Sequence, residues 1–272
     1  MPLNQQGASN VKEFVTNSKG SIIEIIPRLN PGALLFQERC RQCGRAMEDS
    51  LLRPDYRQVL PDLSDFPESL SGLTLCLCRD CTAGLRSSKP PRHAVRDETG
   101  EALPVLTAAV YDGAARKLIR KLKYDDDRLC AFDLALIAVS SLGIADLLSG
   151  SLIVPVPLHR RKQARRGFNQ AALIARHIAR LTGARVLPRA LRRTRETAPQ
   201  FGLCLADRRR NVAGAFEPDR QCKDAFSDRE VFILDDVFTT GSTISQCAAA
   251  LRKGGWQSIA ALTIARAPFE TF

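Results

Sequence analysis

From about residue 105 onward the apolar positions fall into two alternating rhythms. Val105 to Tyr111 reads as a strand, and Ala114 to Tyr124 as a helix with Leu118, Ile119 and Leu122 on one face. Leu129 to Leu142 predicts a second helix, and Leu152-Ile-Val-Pro-Val-Pro157 a short apolar strand closed by proline. Phe168 to Leu181 carries Phe168, Ala171, Ala172, Ala175, Ile178 and Ala179 at helical spacing and stops at Gly183. Glu230 to Leu234 reads as a strand whose run Val231-Phe-Ile-Leu234 is continuously apolar, as expected of one covered on both faces. Thr243 to Lys253 predicts a helix closed by Gly254 and Gly255, and Ser258 to Ala265 a last strand. Strands alternating with helices predict an α/β fold, a mainly parallel sheet flanked by helices.

The first hundred residues lack this rhythm. They are rich in proline and acidic turns such as Asp62-Leu-Ser-Asp-Phe-Pro-Glu68, and they hold five of the nine cysteines. Ser87 to Gly100, with Lys89-Pro-Pro-Arg92, reads as a linker between two unlike parts.

Composition adds that the chain is globular. At 272 residues, 44% hydrophobic and 25% charged, it can bury a core and is neither disordered nor fibrous. No run reaches the roughly 18 apolar residues of a membrane span, and the N-terminus lacks the basic start and long apolar stretch of a secretory signal. A cytoplasmic protein without membrane insertion is expected. In a reducing compartment clustered cysteines favour metal over disulfides.

The charge is local. Leu158 to Arg210 holds 15 Lys/Arg against two acids, Glu196 and Asp207, a net +13, while the whole chain carries +11. One-fifth of the sequence thus holds the entire basic excess, a field that draws pyrophosphate, phosphorylated small molecules or nucleic acid. The alternative is a solvated basic face.

Two Cys-x-x-Cys knuckles, Cys40/Cys43 and Cys78/Cys81, can present four thiolates to one tetrahedral zinc. The 34 residues between Cys43 and Cys78 exceed the compact finger spacing, and Cys76 is a further thiol that competes for a ligand position. Buried thiols packing as small apolar residues are the alternative. Cys130, Cys204, Cys222 and Cys247 are scattered, and His93, His159 and His177 are not at metal spacing.

The most informative run is Val231-Phe-Ile-Leu-Asp235-Asp236-Val-Phe-Thr239-Thr240-Gly241-Ser242-Thr243. A strand delivers two carboxylates to the edge of a sheet where α/β folds bind ligands. A hydroxyl-rich loop then opens a helix, whose unpaired N–H groups and dipole suit a phosphate. The carboxylates repel that phosphate but suit hydroxyls or a divalent cation one sugar away. The pattern asks for a ribose 5-phosphate. No Walker loop is present.

This run resembles the phosphoribosyl pyrophosphate (PRPP) signature of type I phosphoribosyltransferases, with Phe238 bulkier than the usual aliphatic residue. Val154-Pro-Val-Pro-Leu-His-Arg-Arg161, Arg166-Gly-Phe-Asn-Gln170, Thr197-Ala-Pro-Gln200, Arg210-Asn-Val-Ala-Gly-Ala-Phe216 and Lys123-Tyr124 resemble the ComF (competence protein F) family, from Leu34 onward. The resemblance implies an N-terminal segment (1–33), a zinc ribbon (34–86) held by Cys40, Cys43, Cys78 and Cys81, a linker (87–104) and a phosphoribosyltransferase-like domain (105–272). It implies that Asp235 and Asp236 bind the ribose hydroxyls, directly or through Mg²⁺, and that Thr239, Thr240, Gly241, Ser242 and Thr243 hold the 5-phosphate. The stretch from Leu158 to Gly167 would meet pyrophosphate, where charge and position single out Arg165 and Arg166. Residues 192–200 would form a closing lid with Arg193 and Arg195 as its cations. The family's link is to DNA uptake, alongside a helicase. Two classes stay open: a phosphoribosyltransferase with an unknown acceptor, and a non-catalytic DNA-uptake protein that binds single-stranded DNA and a helicase. Three tyrosines and one tryptophan argue against a surface built for base stacking.

Overall fold

The computed structural model describes residues 14–16, 22–24, 39–45, 77–86, 93–142, 144–197, 205–219 and 229–267. Cys76, Cys204, Cys222 and residues 198–200 of the expected lid lie outside them.

In chain order, β1 (Phe14–Thr16) and β2 (Ile22–Glu24) form a small antiparallel pair, and α1 (Arg79–Arg86) begins inside the second cysteine knuckle and carries Cys81. Then come β3 (His93–Arg96), β4 (Ala102–Val110), α2 (Gly113–Tyr124), α3 (Cys130–Leu142) and α4 (Ala145–Leu148). β5 (Leu152–Pro155), α5 (Arg160–Arg166), α6 (Gln170–Thr182) and β6 (Arg185–Val186) form the middle of the chain. β7 (Leu191–Arg193), α7 (Leu205–Val212), β8 (Phe216–Pro218), β9 (Val231–Phe238), α8 (Ser242–Lys253) and β10 (Ile259–Arg266) complete it.

The main sheet has six strands in the order β3-β4-β10-β9-β5-β6, parallel throughout except for the β3–β4 edge pair. β9 sits between β10 and β5 and is apolar from Val231 to Leu234, since both of its faces are covered. Alternation divides its side chains. Phe232 and Leu234 enter a core with Leu118, Ile119 and Leu122 of α2, Leu134 of α3 and Ile178 of α6. Val231 and Ile233 enter a second core with Ile244, Cys247 and Leu251 of α8 and the fully buried Trp256. Helices on both faces of a mainly parallel sheet are the expected arrangement. Among the described residues no helix is long and apolar enough to cross a membrane.

Part of the stretch expected as linker belongs to the sheet. His93–Arg96 pairs antiparallel with Ala102–Val110, so 93–104 is a hairpin. Its charged residues build the turn. The Asp97 carboxylate accepts from the backbone N–H of Thr99 at 2.9 Å and of Glu101 at 3.1 Å, and from Arg252 Nε of α8 at 2.6 Å. Composition alone makes such a turn look like a linker.

Candidate functional site

β9 runs four residues beyond its apolar stretch, so Asp235 and Asp236 lie within the strand near its carboxyl end. Adjacent strand residues face opposite sides. Asp236 is only 4% exposed and turns toward α2, where its Oδ1 accepts a hydrogen bond from Lys123 Nζ at 2.8 Å. Its Oδ2 is buried and has no hydrogen-bond partner among the described residues. Asp235 turns toward the α8 side, and its Oδ1 accepts from the backbone N–H of Asp236 at 2.9 Å. Burial and the neighbouring Asp236 charge push the Asp235 carboxyl up to about 7, against the pull of Lys123 and Arg193. Burial opposes the Lys123 ammonium, but Asp236 more than offsets this and holds it above the usual lysine range.

Beyond Phe238 the chain turns through Thr239, Thr240 and Gly241 into α8. Gly241 has φ 79° and ψ −2° and offers no side chain to cap the helix; the Ser242 N–H donates to Thr240 Oγ1 at 3.4 Å instead. The hydroxyls of Thr240 and Ser242 share a 2.8 Å hydrogen bond. The β3–β4 hairpin lies against the loop, and a cleft of about 440 Å³ opens between Val95–Glu98 and the start of α8. That cleft borders the loop on the hairpin side and does not include the carboxylates.

Cations from three other elements lie near the acidic pair, with Arg166 beside Lys162. Lys123 comes from α2, Lys162 and Arg166 from α5, and Arg193 from β7. Lys162 is held below the ordinary lysine range by loss of hydration and by the like charges of Arg166, Arg193 and Lys123. Arg193 lies 5.2 Å over the Phe216 ring and donates to Thr197 Oγ1. Its Nε is buried without a hydrogen-bond partner among the described residues, and burial lowers its pKa. Arg166 donates to Gln170 Oε1 at 2.5 Å and lies 5.8 Å over the Tyr124 ring. Arg165 is drawn to Glu196, 3.4 Å away, and Arg161 to the same carboxylate at 3.2 Å. Arg195 donates to the carbonyls of Asn211 and Ala213, where it tethers the end of α7.

Of the expected residues, the structure therefore gathers Asp235, Asp236, the Thr239–Thr243 loop and Arg193, with Arg166 next to Lys162. Arg165 and Arg195 make contacts of their own away from the carboxylates. Lys123 enters the sequence reading through the Lys123-Tyr124 motif and Lys162 through the Leu158–Gly167 stretch, but charge picks out neither one individually. A signal for Lys123 was present: it falls four residues after Ile119, on the apolar stripe of α2, where a lysine needs an anionic partner.

The two cysteine knuckles also converge. The sulfurs of Cys40, Cys43, Cys78 and Cys81 all lie within 4.8 Å of one another, with 3.7 Å between those of Cys43 and Cys78. A tetrahedral zinc with bonds of about 2.3 Å spaces its sulfurs about 3.8 Å apart, so this donor set fits structural zinc. Burial alone would raise the Cys40 thiol, but backbone N–H groups of Cys43, Cys78 and Gln42 bring it down to about 7. The cluster is seated on the sheet unit. Cys40, Leu77 and Cys78 join the α2–α3 core, and Arg41 pairs with the fully buried carboxylate of Asp133 on α3.

No protein-family model matches the chain. It is 36% identical over 154 residues to competence protein F of Haemophilus influenzae, covering 55% of this chain and 67% of that protein. It is 31% identical over 183 residues to DNA utilization protein YhgH of Escherichia coli, covering 66% of this chain and 79% of that protein. Competence protein ComFC of Bacillus subtilis is 27% identical over 119 residues, 42% of this chain and 44% of that one. Among solved structures, the allosteric regulatory enzyme of purine biosynthesis aligns with 49% of this chain and 25% of its own, at TM-score 0.32 and 16% identity. That last likeness is too slight to bear on fold or activity.

Proposed function

The chain belongs to the competence protein F family, and from that premise we propose that it is a phosphoribosyltransferase-like protein that binds PRPP and serves DNA uptake or the use of DNA and nucleotides. One juxtaposition supports this above all. Two carboxylates on β9 and the hydroxyl-rich start of α8 lie in one stretch of chain, with Lys123, Lys162 and Arg193 near the carboxylates and Arg166 beside Lys162. The helix start takes the 5-phosphate, the carboxylates take the ribose hydroxyls, and the cations take pyrophosphate. The four-cysteine unit, within 34–86, is the zinc ribbon of such a protein, and the location is cytoplasmic.

In the reaction this geometry serves, a nucleophile replaces pyrophosphate at C1 of the ribose through a transition state that resembles an oxocarbenium ion. Guanidinium and ammonium groups stabilise the departing pyrophosphate, and the segment around Arg193 and Thr197 excludes water when it closes. The unpartnered Oδ2 of Asp236 is open to a ribose hydroxyl. Mg²⁺, when bound with the ligand, supplies positive charge to the leaving group.

Calorimetry with PRPP and Mg²⁺ tests the reading. An Asp235→Asn/Asp236→Asn double variant that keeps its fold is expected to bind roughly tenfold to a hundredfold more weakly, since charge-assisted hydrogen bonds are lost. Unchanged affinity overturns the assignment.

A second reading is a non-catalytic DNA-uptake protein that binds single-stranded DNA and a helicase. It draws on the solvent exposure of Arg160, Arg161 and Arg165 on α5. It predicts single-strand affinity that falls with log salt at a slope of about −0.7 per phosphate contact.

A further inference from the structure

The charge balance around Asp236 has a consequence for metal dependence. Asp236 sits in a site that excludes most water, and its counter-ion is already part of the chain. Lys123 Nζ lies 2.8 Å from Oδ1, with the two side chains 18% and 6% exposed. Lys123 is the penultimate residue of α2, a helix anchored by the fully buried Leu118, Ile119 and Leu122, so the ammonium is delivered by a rigid element. Around the two carboxylates stand three cationic side chains, Lys123, Lys162 and Arg193, with Arg166 beside Lys162. Three cations against two acids leave the site positive before any ligand arrives, even with both carboxylates ionised. A divalent cation on Asp236 would have to sit beside the Lys123 ammonium. Like charges that close together repel strongly in a partly buried site, where water screens them little.

We propose that Lys123 stands in for a divalent cation at the acidic pair, so that the chain binds PRPP without needing Mg²⁺. The inference rests on the PRPP reading and refines it. Lys123 Nζ occupies Oδ1 of Asp236 and offsets its charge, while Oδ2 stays open to a ribose hydroxyl. The pyrophosphate end meets Lys162, Arg166 and Arg193. A Mg²⁺ carried in by the ligand then serves the pyrophosphate and not the carboxylates. Lys123 is a positioning residue in this scheme, because it acts through Asp236.

Calorimetric titration of the full chain with PRPP is the test, in buffer freed of divalent ions by a chelating resin and in the same buffer with Mg²⁺. No soluble chelator is added, so the cysteine cluster keeps any metal it holds. The unaltered protein should bind with affinities within about threefold in the two buffers, because the protein supplies the balancing charge. Lys123→Met should lose about tenfold or more in the metal-free buffer and recover much of it with Mg²⁺, as expected when one partner of a buried charge pair is removed. Lys123→Gln serves if Lys123→Met does not fold, and the comparison of buffers on the unaltered protein needs no variant. A purely structural role for Lys123 would lower affinity equally in both buffers, which overturns the inference. So does an unaltered protein that needs Mg²⁺ by tenfold or more, although PRPP binding itself then stands. No binding in either buffer removes the PRPP reading, and the inference with it.

Discussion

Replacing Gly241 by alanine tests the loop geometry most directly. The residue has φ 79°, in the left-handed region, where a side chain costs about 1–2 kcal/mol. An added Cβ would also lie 2.9 Å from Val95 Cγ1 and 3.1 Å from Phe238 Cε2. Relieving such overlap costs about 1–3 kcal/mol, so the total loss should be about 2–5 kcal/mol. Gly167 is the control. It has nearly the same φ, +80°, but the nearest atom to its added Cβ is Arg128 Nη2 at 3.7 Å, an ordinary contact. Gly167→Ala should therefore cost only the conformational part, about 1–2 kcal/mol. Urea unfolding of both variants, with slopes checked for equality, gives the difference. Val95→Ala combined with Gly241→Ala should show a favourable coupling of about 1 kcal/mol in a double-mutant cycle, because the overlapping methyl is gone. A Gly241→Ala variant no less stable than Gly167→Ala would refute the idea that the hairpin presses on the loop.

Two further outcomes follow from the geometry. Purified protein should carry about one zinc per chain, lost from a Cys40→Ser/Cys43→Ser variant whose sheet unit still gives a cooperative melt; metal analysis showing none in the unaltered protein ends the zinc reading. Asp235 should make the unliganded protein lose stability as pH rises. Its folded carboxyl titrates at about 7 and the unfolded one at 3.8, so between those values the folded state binds the extra proton and stability falls with pH. Asp235→Asn should flatten that fall in a pH series of melting temperatures, and an unchanged slope assigns it to another group.

The strands and helices of the sheet unit were legible because each must bury an apolar stripe, and a stripe has a period that sequence carries. Glu230 to Leu234 reads as a buried strand for that reason, and the Thr239–Thr243 loop reads as a helix start because hydroxyl and glycine chemistry there is local. The paired cysteines were legible for a similar reason, since each knuckle is a short-range geometry. What needed the tertiary structure was every relation between segments distant in sequence. Charge composition made residues 93–104 look like a linker, but Asp97 folds them into a hairpin by reaching Arg252 on α8. The acidic pair reads as one feature along the chain, yet the strand sends its two carboxylates to opposite faces, with different partners on each. The basic segment reads as one field, yet Arg195 holds backbone carbonyls and Arg165 meets Glu196, while Arg193 and Lys162 join the acidic pair. Most telling is Lys123, which is 113 residues from the carboxylate it neutralises. A long, flexible cation has many possible partners in sequence, and only the packing of α2 on the sheet selects one.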